Sequence, residues 1–125
     1  MESTKRSILL VEDAEGVHTL MQEVLPNILP EYALLSALTL AQGEQLFHAH
    51  AREIVAVLMD GCVDNISTRP DTLELIRSIR RSGWTGPLIS ITSIPAFWPA
   101  MQEAGCTDMW QKHKLLERLP LLLQT

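Results

Sequence analysis

Five residues from four separate stretches of the sequence have side chains suited to one piece of chemistry: Glu12, Asp13, Asp60, Thr92 and Lys112. Three are acids, one is a hydroxyl and one an ammonium. Glu12 and Asp13 follow the apolar run 8–11, Asp60 follows 54–59, Thr92 closes 88–92, and Lys112 comes just after 107–111. Carboxylates gathered in one place repel, and each resists ionisation without a positive partner. A divalent cation and a lysine remove that conflict. An all-oxygen donor set with few protein ligands suits Mg2+ better than zinc. The two cysteines, Cys62 and Cys106, form no CxxC pattern, and the histidines have no ligand spacing. Taken singly, each residue has a blander role. Asp13 suits a helix N-cap, Asp60 before Gly61 a turn, Thr92 a strand end, and Lys112 a solvated charge. Their joint placement at successive strand ends is what argues for a site.

The elements that must position them alternate in type. The runs 7–11 and 54–59 are apolar throughout, which suits strands buried on both faces of a parallel sheet. Segments 32–36, 88–92 and, weakly, 107–111 supply three more strands. Between them, Val17, Leu20, Met21, Val24 and Leu25 mark a helix that Pro26 and Pro30 should close. Thr39 should cap a helix over 40–51, and Asp71 or Thr72 should begin another that ends at Ser82-Gly83. A short helix over 95–104 should be perturbed by Pro99, and a last one over 115–123 contains Pro120. The order is βα repeated five times, with no linker or repeat. That predicts one α/β domain over 1–125, a five-stranded parallel sheet doubly wound with helices on both faces. In such sheets functional groups gather at the carboxyl ends of the strands.

Composition narrows the partners. The chain has 125 residues, of which 46% are apolar and 20% charged, a globular composition large enough for one core. Its net charge is −5, which argues against nucleic-acid binding. The one basic cluster, Arg77, Arg80 and Arg81, fits a solvated helix end. No apolar run reaches the roughly 18 residues needed to span a bilayer, and the N-terminal apolar run is too short for a signal-peptide core. A reduced, cytoplasmic protein with no membrane contact is expected.

The ordered pieces Ile8-Leu9-Leu10-Val11-Glu12-Asp13, Val57-Leu58-Met59-Asp60, Pro87-Leu88-Ile89-Ser90-Ile91-Thr92-Ser93 and Ala104-Gly105-Cys106-Thr107-Asp108-Met109-Trp110-Gln111-Lys112 resemble the receiver domain of bacterial two-component response regulators. The separation 112 − 60 = 52 is similar to that family's. The resemblance implies a flavodoxin-like fold and a phosphorelay role. Asp60 would be the phosphoacceptor, taking a phosphoryl group from a sensor histidine kinase or a histidine phosphotransfer protein. Asp13, Asp60 and the backbone carbonyl of Cys62 would ligate Mg2+, with Glu12 acting mainly through a metal-bound water. Thr92 would hydrogen-bond a phosphoryl oxygen, and Lys112 would pair with the phosphoryl group or, before transfer, with Asp60. The resemblance implies no enzyme beyond self-phosphotransfer and self-dephosphorylation. Because the receiver fills the chain, output is expected through contacts with a downstream protein target, onward phosphotransfer or a phosphorylation-dependent homodimer. An origin as one receiver of a hybrid kinase is equally compatible.

The chain departs from the family pattern at four places. After Asp60 the usual proline four residues on is Asp64, and Thr72 replaces a glycine, in a loop about four residues longer than usual. His113 replaces the proline after Lys112, so that peptide is expected to be trans. Met109, beside Trp110, stands where the family carries its switch aromatic. The two positions that tune access to the phosphoryl group are Cys62 and Ile94, both rather apolar, which implies slow self-dephosphorylation. Trp98, with Phe97, Met101 and Trp110, belongs to a candidate partner surface or to core around a proline-broken helix. Three other functions compete. A degenerate receiver would bind partners without phosphorylation, as the loop and His113 suggest. A phosphatase of the haloacid-dehalogenase type would need a second Asp at Cys62. A flavodoxin would need a phosphate loop where Glu12-Asp13-Ala14-Glu15-Gly16 would repel phosphate.

Overall fold

The computed structural model describes residues 6–124. It contains five strands, β1 (Arg6–Val11), β2 (Tyr32–Ala37), β3 (Ile54–Met59), β4 (Leu88–Ser90) and β5 (Asp108–Met109). Five helices alternate with them: α1 (Glu15–Ile28), α2 (Leu40–His50), α3 (Leu73–Arg81), α4 (Trp98–Ala104) and α5 (Leu115–Leu123). Short 3-10 turns, Pro95–Phe97 and Lys112–Lys114, precede α4 and α5. The sheet is wholly parallel in the order β2-β1-β3-β4-β5. The chain therefore reverses direction across the sheet at β1, between β2 and β3. That is the point beyond which an open α/β sheet presents a crevice.

The alternation of side chains along β1 and β3 divides the core in two. Leu9, Val11, Val57 and Met59 pack with Phe47, Leu75, Ile76, Ile79, Phe97 and Met101 from α2, α3 and the α4 region. Ile8, Leu10 and Leu58 pack on the other face with Met21, Leu25, Leu115 and Leu119 of α1 and α5. Both faces are covered, so the apolar runs of β1 and β3 are buried, Val55 alone only in part. Each such side chain contributes about 1.5–3 kcal/mol of transfer free energy.

Several boundaries differ from those expected. Pro26 does not close α1, which runs to Ile28. It falls on the exposed side of the last turns, where loss of one N–H bond is tolerated, and Leu29 N–H closes the helix on the Leu25 carbonyl. Pro99 marks a perturbation, as expected, since the segment 95–104 is a 3-10 turn over Pro95–Phe97 followed by α4 from Trp98. Pro99 itself sits in the first turn of α4, where its missing N–H has no intrahelical acceptor to miss. β4 stops at Ser90 and β5 is only Asp108–Met109, so Thr92 lies two residues beyond its strand. Thr39 caps α2, accepting from the Gln42 N–H at 3.1 Å. Pro120 lies inside α5, as expected. Along α1 the buried positions are His18, Met21 and Leu25, whereas Leu20, expected inward, is half exposed.

The basic cluster is not a solvated helix end throughout. Arg77 pairs with Glu74 at the surface, but Arg80 turns inward. Its Nε donates to the Gly105 carbonyl at 2.9 Å, and its Nη1 donates to the carbonyls of Trp84 (3.1 Å) and Gly86 (2.9 Å). The guanidinium also lies over the Trp84 ring. Gly105 ends α4 with φ +143, and a Cβ there would come within 2.6 Å of Arg80 Cγ. Glycine is thus required twice over, for the backbone angle and for the close approach of Arg80.

Candidate functional site

The carboxyl ends of β1 and β3 lie side by side, with Val11 in register with Met59. The next residues, Glu12 and Asp60, are held by main-chain bonds: the Glu12 N–H donates to Ala37 O at 3.0 Å and the Asp60 N–H to Val11 O at 3.0 Å. Glu12 is fully buried, Asp60 is 7% exposed, and Asp13 is exposed at the rim. Glu12, Asp13 and Asp60 each offer a carboxylate oxygen, and these atoms lie within 4.8 Å of one another.

Lys112, delivered by the turn after β5, reaches into this group. Its Nζ lies 2.8 Å from Glu12 Oε1 and 3.4 Å from Asp60 Oδ2. The other Asp60 oxygen, Oδ1, accepts the Gly61 N–H at 2.8 Å. The proton affinities follow from this crowding. Burial raises the Glu12 carboxyl above its ordinary value, and Asp60 beside it pushes the same way, while Lys112 opposes both. Asp13 is raised by its neighbour Glu12 and by partial burial. Burial works against the Lys112 ammonium, yet Glu12 at hydrogen-bond distance and the charge of Asp60 outweigh it and hold it above its usual value. One cation therefore serves two buried acids, and negative charge is left in excess. A hard divalent cation fits a donor set made only of carboxylate oxygens.

Thr92 is buried, and its Oγ1 accepts the Ile94 N–H at 3.1 Å. Gly61 lies between the acids and this hydroxyl. A Cβ on Gly61 would stand 2.8 Å from Thr92 Oγ1 and 2.6 Å from Phe97 Cδ2. Asp60, Gly61, Thr92 and Phe97 thus form one packed unit, and glycine is the residue that lets them meet. Cys62 is half-buried, with its Sγ turned to the carbonyls of Arg69 (3.5 Å) and Ser67 (3.9 Å). Ile94 is 41% exposed beside Thr92. Met109 is half-buried, and Trp110 is buried on the α1/α5 face with its Nε1 donating to Asp108 Oδ2 at 3.0 Å. Trp98 is half-buried against the opposite core. No cis peptide occurs among the described residues, so the Lys112–His113 bond is trans.

Asp64 lies in the exposed part of the loop after Asp60, and its Oδ1 accepts the Leu40 N–H at 3.0 Å, at the N-terminus of α2. It is a helix-terminal acceptor as well as a surface acid. Two residues went unnoticed in the sequence. His18, 4% exposed on α1, places its Nε2 2.7 Å from the Glu12 carbonyl oxygen and so braces the chain at the first acid. Its position one turn into a helix after the acids was the available signal. Asp71, read only as a helix start, accepts three backbone N–H groups of the loop that follows Asp60. An apolar cleft of about 250 Å3 between α1 and α5 shares Lys112 with the site and is otherwise lined mainly by Val17, Leu20, Met21, Leu115 and Leu116. Among the described residues no helix is long and apolar enough to cross a membrane.

No protein-family model matches the chain, and no curated protein matches it by sequence. Solved structures do. A response regulator receiver domain protein from Clostridium thermocellum is 18% identical with a TM-score of 0.74, over 94% of this chain and 90% of that one. The BeF3-activated N-terminal receiver domain of Klebsiella pneumoniae RstA is 25% identical with a TM-score of 0.71, over 96% of this chain and all of that one. A Burkholderia pseudomallei response regulator with a phosphorylated aspartic acid, calcium ion and citrate is 20% identical with a TM-score of 0.75, over 96% of this chain and 67% of that one. The fold is that of response-regulator receiver domains, as the sequence resemblance implied.

Proposed function

We propose that the chain is a phosphoacceptor receiver in two-component signalling, with Asp60 as the acceptor. The observation that carries this reading is the meeting of Glu12, Asp13 and Asp60 with Lys112 Nζ at the carboxyl edge of a receiver-type sheet. An Asp60 carboxylate oxygen would attack the phosphorus of a phosphohistidine, the P–N bond would break, and the leaving imidazole would keep that electron pair and take a proton. The product is an acyl phosphate. Bound Mg2+, held by Asp13, Asp60 and the Cys62 carbonyl with Glu12 acting through water, would neutralise phosphoryl charge as it develops. Lys112 already spans both buried acids, so a small movement carries its ammonium from Asp60 to the phosphoryl group. Thr92 Oγ1, while accepting the Ile94 N–H, can donate its hydroxyl proton to a phosphoryl oxygen. The Burkholderia structure carries both a phosphorylated aspartate and a divalent cation, which supports pairing the two here.

The partners on this reading are a sensor histidine kinase or histidine phosphotransfer protein upstream and a protein target downstream, in the cytoplasm. Met109 and Trp98, both half-buried, would carry the change toward the partner surface, whereas Trp110 is buried in the core on the α1/α5 face. The test is incubation with Mg2+ and acetyl phosphate, followed by intact mass. Gain of one phosphoryl group, abolished in Asp60→Asn, is the expected result. A folded protein that gains no mass from either acetyl phosphate or a phosphorylated donor would instead identify a receiver that binds partners without phosphorylation. Turnover of phosphate esters would point to a phosphatase.

A further inference from the structure

The loop that connects Asp60 to α3 spans residues 61–72, and most of its middle is exposed, with Ile66 91% exposed at its tip. A loop of this length offers many conformations to the peptide units nearest the site. Two residues at its far end remove that freedom. Asp71 Oδ1 accepts the Val63 N–H at 2.8 Å, and its Oδ2 accepts the N–H groups of Asp64 (2.9 Å) and Asn65 (2.8 Å). The Asp71 N–H and the Thr72 hydroxyl both donate to the Gly61 carbonyl, at 3.0 and 3.2 Å. The start of the loop is thereby fastened to its end, directly behind the phosphoacceptor.

One of these bonds bears on the cation. The Val63 N–H and the Cys62 carbonyl belong to the same planar peptide unit, which is trans. In a trans unit the N–H and the C=O point to opposite sides. A carboxylate that fixes the N–H therefore also fixes the carbonyl, directed away from itself. A charged acceptor on the N–H also polarises the amide and makes the carbonyl oxygen a better donor to a hard cation. The negative charge of Asp71 is meanwhile satisfied by three backbone donors, so it adds little to the repulsion among the site's own acids.

We propose that Asp71 is a positioning residue for the divalent cation. By clamping the Val63 N–H it presents the Cys62 carbonyl as a cation ligand, and it does in this long loop what a shorter connection would do by its length alone. This rests on the Mg2+ site of the reading above. Removing the partner that orients a metal ligand characteristically weakens metal binding about 10- to 100-fold.

The experiment is calorimetric titration of the full chain with Mg2+, comparing the parent, Asp71→Asn and Asp71→Ser, together with the metal-free thermal midpoint of each. Asp64→Ala is the control, since it alters the exposed loop and the Leu40 contact but leaves the Val63 N–H clamped. Mg2+ affinity is expected to fall at least tenfold in the Asp71 variants and to stay within twofold in Asp64→Ala. Asp71 variants that lose thermal stability but bind Mg2+ as tightly as the parent would overturn the proposal, because the residue would then only hold the loop. A parent that binds no Mg2+ would overturn the metal site itself, a separate outcome. If Asp71→Asn does not fold, Asp71→Ser decides between the first two results.

Discussion

Gly61→Ala places a methyl group at the most crowded point of the site. The new Cβ would lie 2.6 Å from Phe97 Cδ2, 3.2 Å from Phe97 Cε2 and 2.8 Å from Thr92 Oγ1. Carbon atoms in contact ordinarily sit about 3.5–4.0 Å apart, so the ring must retreat by roughly 1 Å. It has little room, being 4% exposed and packed in the core with Val63 and Met101. The backbone does not oppose alanine, since Gly61 is not among the glycines with positive φ. The cost is therefore steric, about 1–3 kcal/mol for overpacking, less about 0.4–1 kcal/mol gained by stiffening the unfolded chain. A net loss of about 1–2 kcal/mol lowers the thermal midpoint of a domain this size by roughly 4–10 °C. Thermal unfolding followed by circular dichroism measures it. Gly16→Ala is the comparator: nothing lies within 4 Å of its Cβ and it is helical, so it should be neutral or stabilising. Phe97→Leu in the Gly61→Ala background tests the contact itself, because relief of the clash should appear as a favourable coupling of about 1 kcal/mol in the double-mutant cycle. A Gly61→Ala protein as stable as the parent, or a cycle that closes additively, would refute the reasoning.

Three more outcomes follow from the charges and the rim of the site. Lys112→Ala leaves Glu12 and Asp60 without their shared cation and should cost on the order of 3 kcal/mol at neutral pH, partly restored by Mg2+; equal denaturant midpoints for variant and parent would exclude it. Raised carboxyls bind protons more readily folded than unfolded, so Glu12 and Asp13 cost the metal-free domain stability at neutral pH. That cost is relieved as pH falls through their folded values toward the ordinary 4.5 and 3.8, whereas the Lys112 contribution is complete below 10.5 and lost as pH rises through its own raised value. Thermal midpoints between about pH 5 and 8 in EDTA should therefore fall less steeply toward neutral pH in Glu12→Gln than in the parent, and an unchanged slope speaks against the assignment. Finally, neither the Cys62 thiol, turned to the Ser67 and Arg69 carbonyls, nor Ile94 can orient an attacking water, so the phosphorylated domain should decay over minutes or longer; a half-life of seconds in a mass or phosphate-release assay rules this out.

What the sequence made legible is what depends on periodicity and order. The apolar runs of β1 and β3 name themselves as buried strands, and five βα units place the ends of β1 and β3 side by side. Glu12, Asp13 and Asp60 then meet without any knowledge of side-chain packing. The elements whose limits shifted were those governed by packing and not by propensity. Pro99 sits in the first turn of α4, where its missing N–H is not needed, and Pro26 lies inside α1 on its exposed side, where the loss of one N–H bond is tolerated. Arg80 carries the same charge as Arg77 and differs only in what lies opposite it, the carbonyls of Trp84 and Gly86 in the loop that follows α3 and that of Gly105 at the end of α4.

The acids show the same division most clearly. A count gives the chain its net charge of −5 but not the task of any one carboxylate. Asp60 and Asp71 stand eleven residues apart at the two ends of one loop, and composition makes them equivalent. In the fold one faces Lys112 and the other faces three backbone N–H groups. Asp64 is taken up by the start of α2 and Asp108 by the Trp110 ring nitrogen. An acid whose oxygens are occupied by amides has little left to offer a cation, whereas Glu12 and Asp60 share one ammonium beside Asp13, and the three remain in deficit. That deficit, and not the number of acids, makes the carboxyl edge of the sheet the candidate cation site. It is a property of hydrogen-bond partners that become neighbours only in the fold.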